Sequence, residues 1–320
     1  MKANDWHDPA WVSSAHDWIE AHLDAKPTGW IEEVRVRPWS VTHRVPTSAG
    51  DRWFKANTPA CAYEAPLATA LAEWFPAAVL RPLAIDEQGW LLTADEGPTL
   101  RERMAADPGH WPREQTWSRM LQAYAVLQRA GAPHAEALVS LGVPDQRPHT
   151  LPAHLKSLLA DPAVAADVDV AAVQAVPLDD WCAELSADGI PASVQHDDLT
   201  DANVFPTGPT GFRFFDWGDA SIAHPFGSLL VALGFAAHVL GVGDGDPALA
   251  RLRDAYLEPW TDLAPAATLR RSVSLSCRLG RVSRSLSWRR AVRDAALPVD
   301  DDFRTAAAFW LGELPQPPVV

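Results

Sequence analysis

Three polar side chains near the middle of the chain combine residue types that suit metal binding and proton transfer. Asp198 and Asn203 share one loop between two apolar runs, and Asp216 follows an aromatic run thirteen positions after Asn203. Apolar runs separated by a turn rich in Gly, Pro and Thr predict a hairpin that brings the three side chains together. Two carboxylates and an amide oxygen suit a Mg²⁺ ion that also keeps phosphate oxygens in its shell. Asp198 then remains as the acceptor for a hydroxyl proton, a division typical of phosphoryl transfer.

The sequence around these residues resembles that of a known family. The run from His196 to Asn203 reads H-D-D-L-T-D-A-N and resembles the H-x-D-x-x-x-x-N catalytic loop of the aminoglycoside phosphotransferase family, small-molecule kinases related to protein kinases. Asp216 begins the sequence D-W-G, which is similar to the metal-binding D-x-G of that family. The family loop commonly reads His-Gly-Asp-Leu, and here Asp197 replaces the glycine. The resemblance spans about residues 30 to 300.

The resemblance implies a function and assigns roles to these residues. It implies transfer of the γ-phosphoryl group of ATP, with Mg²⁺, to a hydroxyl of a small molecule such as an aminoglycoside, an amino sugar or another hydroxylated metabolite. Asp198 is the expected catalytic base, and His196 is expected beside it, orienting the loop by hydrogen bonding. Asn203 and Asp216 are the expected Mg²⁺ ligands. A solvated hairpin loop and half of a metal-dependent phosphohydrolase site are the weaker interpretations, since the hydrolase needs further His ligands on helices.

Composition argues against several kinds of partner. The formal net charge of −14 disfavours nucleic acid, whose phosphates require a basic face. The three scattered cysteines have no metal-ligand spacing and favour a reducing compartment. The N-terminus has no apolar core of signal-peptide type, and no run of 18 apolar residues appears. The sequence therefore predicts a cytoplasmic protein without a membrane partner, and it leaves the oligomeric state open.

The first hundred residues predict a small lobe rich in strands. Asp8 before a proline predicts the start of an amphipathic helix. Short strand-like runs follow at Ile31–Val36, Val41–Val45 and Trp53–Ala56, separated by turn residues. A further strand pair and one helix complete a segment that we predict to be the N-terminal nucleotide-binding lobe, residues 1–96, with an antiparallel sheet.

The rest of the chain predicts a larger and mainly helical lobe. It is rich in Ala and Leu, with a long buried helix expected at Trp117–Ala130 and connections expected at residues 131–150. We predict that residues 97–320 form the C-terminal lobe with the catalytic loop and the acceptor site. The fold class is therefore α+β, and the resemblance implies the bilobal protein-kinase-like fold.

Lys55 is the candidate for binding the nucleotide phosphates. It lies in a strand-like run, flanked by bulky apolar groups, in a chain with only four lysines. A compact ammonium there reaches the α- and β-phosphates, and it needs a carboxylate partner when it is partly buried. Glu64, at the start of the next helix, is the expected partner, with Glu73 on the same helix as the alternative. The competing interpretation is a lysine on the solvent face of an edge strand.

Two further nucleotide contacts are implied by the resemblance. The first turn of the sheet would cover the phosphates, and we expect Ser40 and Thr42 there, without a glycine, so that hydroxyl or backbone groups would make the contacts. The break after the second strand pair predicts the hinge between the lobes, whose backbone would bind the adenine edge. The residues assigned to that neighbourhood are Thr93, Ala94, Asp95 and Glu96.

The C-terminal region leaves the acceptor open. Arg278, Arg281 and Arg284 recur every three positions and are expected on one helix face. That face either pairs with surplus acids at the surface or forms a wall for an anionic or sugar-like acceptor, with Trp288 as a stacking platform. The acidic run Asp300–Asp302 instead favours a polycationic aminoglycoside.

Three expectations concern bracing and rival functions. Ser228 stands where the family often has a bracing acid, and we expect it to cap the following helix and hold the catalytic loop. A nucleotide-binding pseudokinase, acting as a sensor or scaffold, is the principal rival because the phosphate turn lacks glycine. A kinase acting on proteins is the weaker rival, since the short segment from Asp216 to His224 leaves little room for an activation loop.

Overall fold

A helix and an antiparallel sheet form the first part of the computed structural model, which describes residues 6–208, 210–295 and 298–318. Within those residues the strands are β1 (Glu32–Arg37), β2 (Ser40–Val45), β3 (Arg52–Asn57), β4 (Pro82–Ile85), β5 (Trp90–Ala94), β6 (Ser193–Gln195), β7 (Val204–Pro206), β8 (Phe212–Phe214) and β9 (Ser221–Ala223). The helices are α1 (Pro9–His22), α2 (Glu64–Trp74), α3 (Leu100–Ala106), α4 (Arg113–Gly131), α5 (Ala135–Ser140), α6 (Leu151–Ala160), α7 (Pro162–Ala165), α8 (Val170–Gln174), α9 (Leu178–Ser186), α10 (Leu229–Leu240), α11 (Pro247–Leu257), α12 (Ala266–Arg293) and α13 (Asp301–Gly312).

The N-terminal helix α1 covers one face of the five-stranded sheet. The Asp8 side chain caps the helix by accepting the backbone N–H groups of Ala10 and Trp11, which satisfies two of the otherwise unpaired donors at the helix start. Ile19 is fully buried in a cluster that includes Phe54 and Trp90 from the sheet. The predicted amphipathic helix is therefore part of the core of this lobe.

The strand order places Lys55 in the middle of the sheet. The order is β1-β2-β3-β5-β4, and every pairing is antiparallel. In β3, Lys55 pairs with Thr42 on one side and Leu91 on the other. Because side chains alternate across a strand and the neighbouring Phe54 packs under α1, Lys55 projects from the opposite face. The interpretation of Lys55 as an edge-strand residue is therefore wrong.

The helical part of the chain packs around α4 and carries two short strand pairs. Trp117, Leu121 and Tyr124 of α4 are fully buried in the largest hydrophobic cluster. Strand β6 pairs with β9, and β7 pairs with β8, all antiparallel. These two ladders support the loop between β6 and β7 and the segment that follows β8, and these segments carry the candidate site residues.

The predicted α+β class and bilobal kinase-like fold are confirmed. Two details differ: a short helix, α5, interrupts the connection expected at residues 131–150, and β9 was not predicted. Strand β9 is only three residues long, and its pairing with β6 depends on a contact across 28 positions that local pattern does not reveal. The lobe boundary at residues 96 and 97 stays a prediction. No helix in the described ranges is long and apolar enough to cross a membrane.

Replacing Ile19 with alanine should destabilise the protein by about 2–4 kcal/mol, because the smaller side chain leaves a cavity between α1 and the sheet. Glu20→Ala is the control, since Glu20 is exposed on the same helix and its loss should change stability by about 0.5 kcal/mol or less. Urea unfolding of both variants measures the difference, and equal unfolding free energies would argue against α1 as a structural part of the lobe.

Candidate active site

The loop between β6 and β7 contains one residue with a left-handed backbone conformation, Asp197. Asp197 has a φ of 61°, and Asp216, after β8, has a φ of 63°. This region is costly for most side chains, but Asp and Asn adopt it more readily than other non-glycine residues. The resembled family commonly has glycine at position 197, and a left-handed backbone is one that glycine adopts easily. Asp197 adopts the same left-handed conformation here.

The side chains of Asp198 and Asn203 contact each other across the loop. The Asn203 amide nitrogen donates to the backbone oxygen of Asp198 and to its carboxylate oxygen Oδ2, both at 2.9 Å. Burial raises the pKa of Asp198, against the opposing charge of Arg284. The loop therefore holds one carboxylate in a fixed orientation and makes it more basic than an exposed aspartate.

His196 ties the loop to the strand that leads to Asp216. Its side chain is fully buried, and Nε2 donates to the backbone oxygen of Phe215 at 2.9 Å. The backbone oxygen of Asn203 also accepts from the N–H of Phe215 at 3.1 Å. These two hydrogen bonds fix the loop relative to the residue immediately before Asp216. The geometry fits an orienting role for His196.

Lys55 joins the sheet to the segment after β8. Its ammonium lies 2.6 Å from Glu64 Oε2 and 2.5 Å from Asp216 Oδ1. Asn57 donates to the same Glu64 oxygen at 2.8 Å. Glu64, at the start of α2, is thus the lysine's partner, and the alternative Glu73 is exposed on the same helix. The structure brings together the lysine and both carboxylates from distant parts of the sequence.

The third residue of the D-W-G sequence lies against this ion pair. A Cβ atom added to Gly218 would lie 3.0 Å from Glu64 Oε2 and 3.6 Å from the Lys55 nitrogen. These distances leave little room for a side chain. A glycine at this position lets the segment after Asp216 approach the small lobe closely.

The charges at this junction shift one another's ionisation. Burial alone would raise the pKa of Asp216, but Lys55 outweighs it and lowers that pKa to about 2. Burial likewise opposes the charge on Lys55, yet Asp216 and Glu64 together hold the lysine pKa above its ordinary value. At neutral pH the carboxylate of Asp216 is therefore ionised and Lys55 is protonated, which is the charge state that phosphate and metal binding require.

Two cavities meet at Lys55 and Asp216. The larger has a volume of about 800 Å³ and the smaller about 260 Å³. Arg35, Lys55 and Asp216 line both. The smaller cavity also reaches Asp198.

The residues expected to bind the nucleotide divide between these spaces. Thr42, Thr93, Ala94 and Asp95 line the larger cavity, and Ser40 lines the smaller. Glu96 is not part of either lining; its carboxylate pairs with Arg213 Nη1 at 2.7 Å.

Ser40 and Thr42 lie within β2 and not in the turn before it. Arg37 pairs with Ser40 across the β1–β2 hairpin, so the turn consists of Pro38 and Trp39. The expected placement of Ser40 and Thr42 in that turn is therefore wrong. The error arose because the exact end of a strand depends on its pairing, which the sequence pattern does not fix.

The three C-terminal arginines serve different contacts. Arg278 lies over the Trp181 ring at 5.1 Å, whereas Arg281 donates to backbone oxygens after α13.

Arg284 is buried and donates through Nη1 to the backbone oxygen of Asp197 at 2.7 Å and to Asp219 Oδ2 at 3.0 Å. A surface face is thus wrong for Arg281 and Arg284, and the spacing of three did not place all the side chains in one environment. Arg284 and Trp288 both line the smaller cavity, and their role as an acceptor wall stays a prediction.

Ser228 does not brace the catalytic loop. It makes no side-chain cap to α10, and its hydroxyl instead accepts from Gln128 Nε2 at 3.2 Å. The loop is held by Asp197, whose carboxylate accepts from Ser221 Oγ at 3.0 Å and from Gln195 Nε2. The expected cap was wrong because Ser228 has helical backbone dihedrals and ends the 3-10 turn before α10, whereas a capping residue has a non-helical backbone.

Several lining residues were not singled out from the sequence. Arg35 and Arg37 lie at alternate positions of β1, and this period of two, within a predicted strand, could have indicated that both project from one face. Other lining residues come from separated segments and carried no local signal. In the smaller cavity they include Trp39, Asn57, Asp219 and Phe303.

Solved structures similar to this chain include small-molecule phosphotransferases and kinases. A macrolide 2'-phosphotransferase from Brachybacterium faecium matches with a TM-score of 0.55 and 16% identity, covering 95% of this chain and 98% of its own. An ethanolamine kinase from Plasmodium vivax matches with a TM-score of 0.63 and 11% identity, covering 97% and 90%. A choline/ethanolamine kinase family protein from Mesorhizobium loti matches with a TM-score of 0.56 and 19% identity, covering 94% and 93%.

These similarities extend over nearly the whole chain. The chain has the fold of the kinase-like small-molecule phosphotransferases. The resemblance inferred from the catalytic loop is confirmed at the level of the fold, which these identities alone support. No family model matches the sequence, and a comparison with curated proteins finds no match.

The donor set suits a magnesium ion. Among the residues the structure describes, no three His, Cys, Asp or Glu side chains are grouped so as to hold a metal. Mg²⁺ is commonly bound through one or two carboxylates together with phosphate oxygens and water. Asp216 supplies an ionised carboxylate. Asn203 directs its amide nitrogen towards Asp198, which leaves the amide oxygen as a ligand.

Asp197 should make the stability of the protein depend on pH. Burial raises its pKa to about 6, above about 4 for an unfolded aspartate. Its stabilising contribution is therefore complete below about pH 4 and is lost as the pH rises through 6. Asp197→Asn stays neutral and should not show this loss, so the wild type should lose about 2 kcal/mol relative to the variant between pH 4.5 and 7. Urea unfolding without Mg²⁺ at several pH values measures the difference, and parallel curves would contradict the assignment.

Proposed function

We propose that this protein is an ATP- and Mg²⁺-dependent phosphotransferase that acts on a hydroxyl group of a small molecule. The observation that carries the proposal is the junction of the two cavities at Lys55 and Asp216, with Asp198 lining the smaller one. A phosphoryl donor in the larger cavity would place its terminal phosphate beside an acceptor in the smaller. The whole-chain similarity to a macrolide 2'-phosphotransferase and to an ethanolamine kinase supports the same chemistry.

The larger cavity suits a nucleotide. Its lining combines apolar side chains, including Leu80 and Leu91, with the segment after β5 that was predicted as the hinge. Phe205 and Phe215 stack at 4.4 Å and form another part of the wall. Such a slot accepts a planar base between apolar groups. Lys55 would bind the inner phosphates and leave the terminal phosphate near the smaller cavity.

Arg35 adds a positive charge where the phosphates would lie. Its guanidinium is 3.8 Å from Asp216 Oδ2, and it lines both cavities. A guanidinium matches the geometry of phosphate oxygens. We propose that Arg35 contributes from β1 the phosphate contact that the Pro38-Trp39 turn, which has no glycine, does not supply.

Asp198 is the proposed catalytic base. Its pKa is raised by burial, which favours acceptance of a proton, and the hydrogen bonds from Asn203 fix its carboxylate. It would hold the acceptor hydroxyl in line with the phosphate and take up the proton as the phosphoryl group moves. Because such transition states are loose, most of the acceleration would come from positioning and from charge.

Asn203 and Asp216 would hold the magnesium ion. When bound, the ion supplies positive charge to the phosphate oxygens. Lys55 already holds Asp216 in its ionised form through a 2.5 Å contact, and Asp198 keeps the Asn203 amide in place. The two ligands are thus oriented by other residues of the site.

A pseudokinase that binds nucleotide without transferring phosphate is the second candidate. It is favoured by the turn of Pro38 and Trp39, which offers one fewer backbone donor than a glycine-rich loop because proline has no N–H. Binding of Mg·ATP in a thermal-shift assay without any ADP release, alone or with a panel of hydroxylated metabolites, would favour this candidate.

Asp198→Asn should lower kcat by about 10²–10⁴-fold, because the amide cannot accept the hydroxyl proton. The affinity for Mg·ATP should change by less than about threefold, since Asp198 lines only the smaller cavity. ADP release with an active acceptor and a nucleotide titration provide the two measurements. Loss of nucleotide binding in the folded variant would contradict the assignment of the base.

Lys55→Met should weaken Mg·ATP binding at least tenfold and leave adenosine binding nearly unchanged, because only the phosphates lose a partner. Unpaired Glu64 and Asp216 also destabilise this variant, so retained adenosine binding shows that it is folded. Lys26→Met, at an exposed position, is the matched control. An equal loss of affinity for Mg·ATP and for adenosine would argue against a contact between Lys55 and the phosphates.

A further inference from the structure

The smaller cavity has its own lining on the side away from the larger one. Besides Asp198 it is formed by Arg37 and Trp39 from the small lobe and by Trp288 and Phe303 from α12 and α13. None of these side chains lines the larger cavity. If the nucleotide occupies the larger cavity, these residues are the ones that an acceptor would contact.

The aromatic residues of this lining form one continuous wall. Trp288 and Phe303 are stacked, with ring centroids 5.8 Å apart. Trp39 presents its edge to both, at 5.6 Å and 5.0 Å. Aromatic walls of this kind bind the flat or apolar face of a ring. The wall thus offers a platform for one ring of a substrate.

Most of the charges in the smaller cavity are committed to one another. Lys55 pairs with Asp216, and Arg284 pairs with Asp219. The Asp198 carboxylate accepts a hydrogen bond from the Asn203 side chain. The carboxylates on this side are therefore either paired with a cation or reserved for catalysis, and no surplus of negative charge is available for a cationic substrate.

Arg37 is the exception. Within the described residues no carboxylate forms a salt bridge with it, and its guanidinium lies over the Phe303 ring at 5.8 Å. Its backbone oxygen accepts from Trp6 Nε1 at 2.9 Å, which fixes the strand at this point. A guanidinium that rests on an aromatic ring and has no carboxylate partner keeps its donors for an anion.

The acidic run near the C-terminus does not supply the missing negative charge. Asp301 pairs with Arg304 at 3.1 Å, and neither Asp301 nor Asp302 is among the lining residues. Both are exposed on the first turn of α13. The feature that favoured a polycationic acceptor in the sequence therefore lies outside the cavity.

We propose that the acceptor is a small hydroxylated molecule that carries one anionic group, a carboxylate or a phosphate. Arg37 binds the anionic group, the aromatic wall covers one face of the molecule, and a hydroxyl points to Asp198. This inference rests on the proposed phosphotransferase function. The cavity volume of about 260 Å³ equals that of about nine liquid water molecules at about 30 Å³ each. It accommodates one sugar-sized molecule.

A matched set of acceptors tests the charge preference. Glucose, glucosamine, glucuronate and glucose 6-phosphate share one ring and differ in charge, so ADP release with each compares a neutral, a cationic and two anionic molecules. We expect kcat/KM for at least one anionic sugar to exceed that for glucose and for glucosamine at least tenfold. The two anionic sugars distinguish a carboxylate from a phosphate.

Variants of Arg37 test the assigned contact. Arg37→Gln should raise the KM for the anionic acceptor at least tenfold, with kcat within about twofold and the KM for Mg·ATP unchanged, and Arg37→Lys should restore part of the loss. Arg271→Gln is the control, since Arg271 is exposed near the start of α12, away from Trp288, and pairs with Glu184 of α9. A merely structural role for Arg37 would change both KM values together.

Four results would overturn the proposal of an anionic acceptor. A preference for glucosamine, no response to either anionic sugar by a protein that hydrolyses Mg·ATP, or an unchanged anionic KM in Arg37→Gln would reject the anionic acceptor and leave the phosphotransferase function standing. Failure of the wild type to bind or hydrolyse Mg·ATP would reject both the function and the inference.

Discussion

The ion pair between Lys55 and Asp216 is the contact on which the geometry of the candidate site depends. The two residues are 161 positions apart and come from the sheet and from the segment after β8. Both are largely withdrawn from water, and each stabilises the charge of the other, while Glu64 adds to the stabilisation of the Lys55 charge. Their contact joins the five-stranded sheet to the segment after β8. The same contact forms the boundary between the two cavities.

The loop opposite this pair is held by buried polar groups that have no direct role in chemistry. Asp197 adopts a left-handed backbone conformation and directs its carboxylate inward, to Ser221 and Gln195. Arg284 crosses from α12 to the Asp197 backbone oxygen. Buried polar groups of this kind are costly unless each is paired. Their pairing fixes Asp198 at the cavity surface without a bracing acid before α10.

The proposed catalytic and acceptor-binding features of the site have different origins in the chain. The proposed base and metal ligands come from two adjacent loops in the middle of the sequence. The proposed acceptor side is assembled from the β1–β2 hairpin and from α12 and α13, where Arg37, Trp39, Trp288 and Phe303 line the smaller cavity. The solved structures that share this fold are named for different small molecules, a macrolide and ethanolamine, so the fold alone does not set the acceptor.

The sequence by itself determined the local features of this protein. The catalytic-loop and D-W-G residues lie close together in sequence, so their types and spacing indicated the chemistry before any fold was known, and Lys55 with Glu64 followed from strand and helix patterns. The tertiary structure decided what depends on long-range contacts. It moved Ser40 and Thr42 from the turn into β2, it buried Arg284 against the loop, and it brought Arg37 to Phe303. Pairing register and packing between distant elements are set by the burial of whole faces, and no local pattern encodes that.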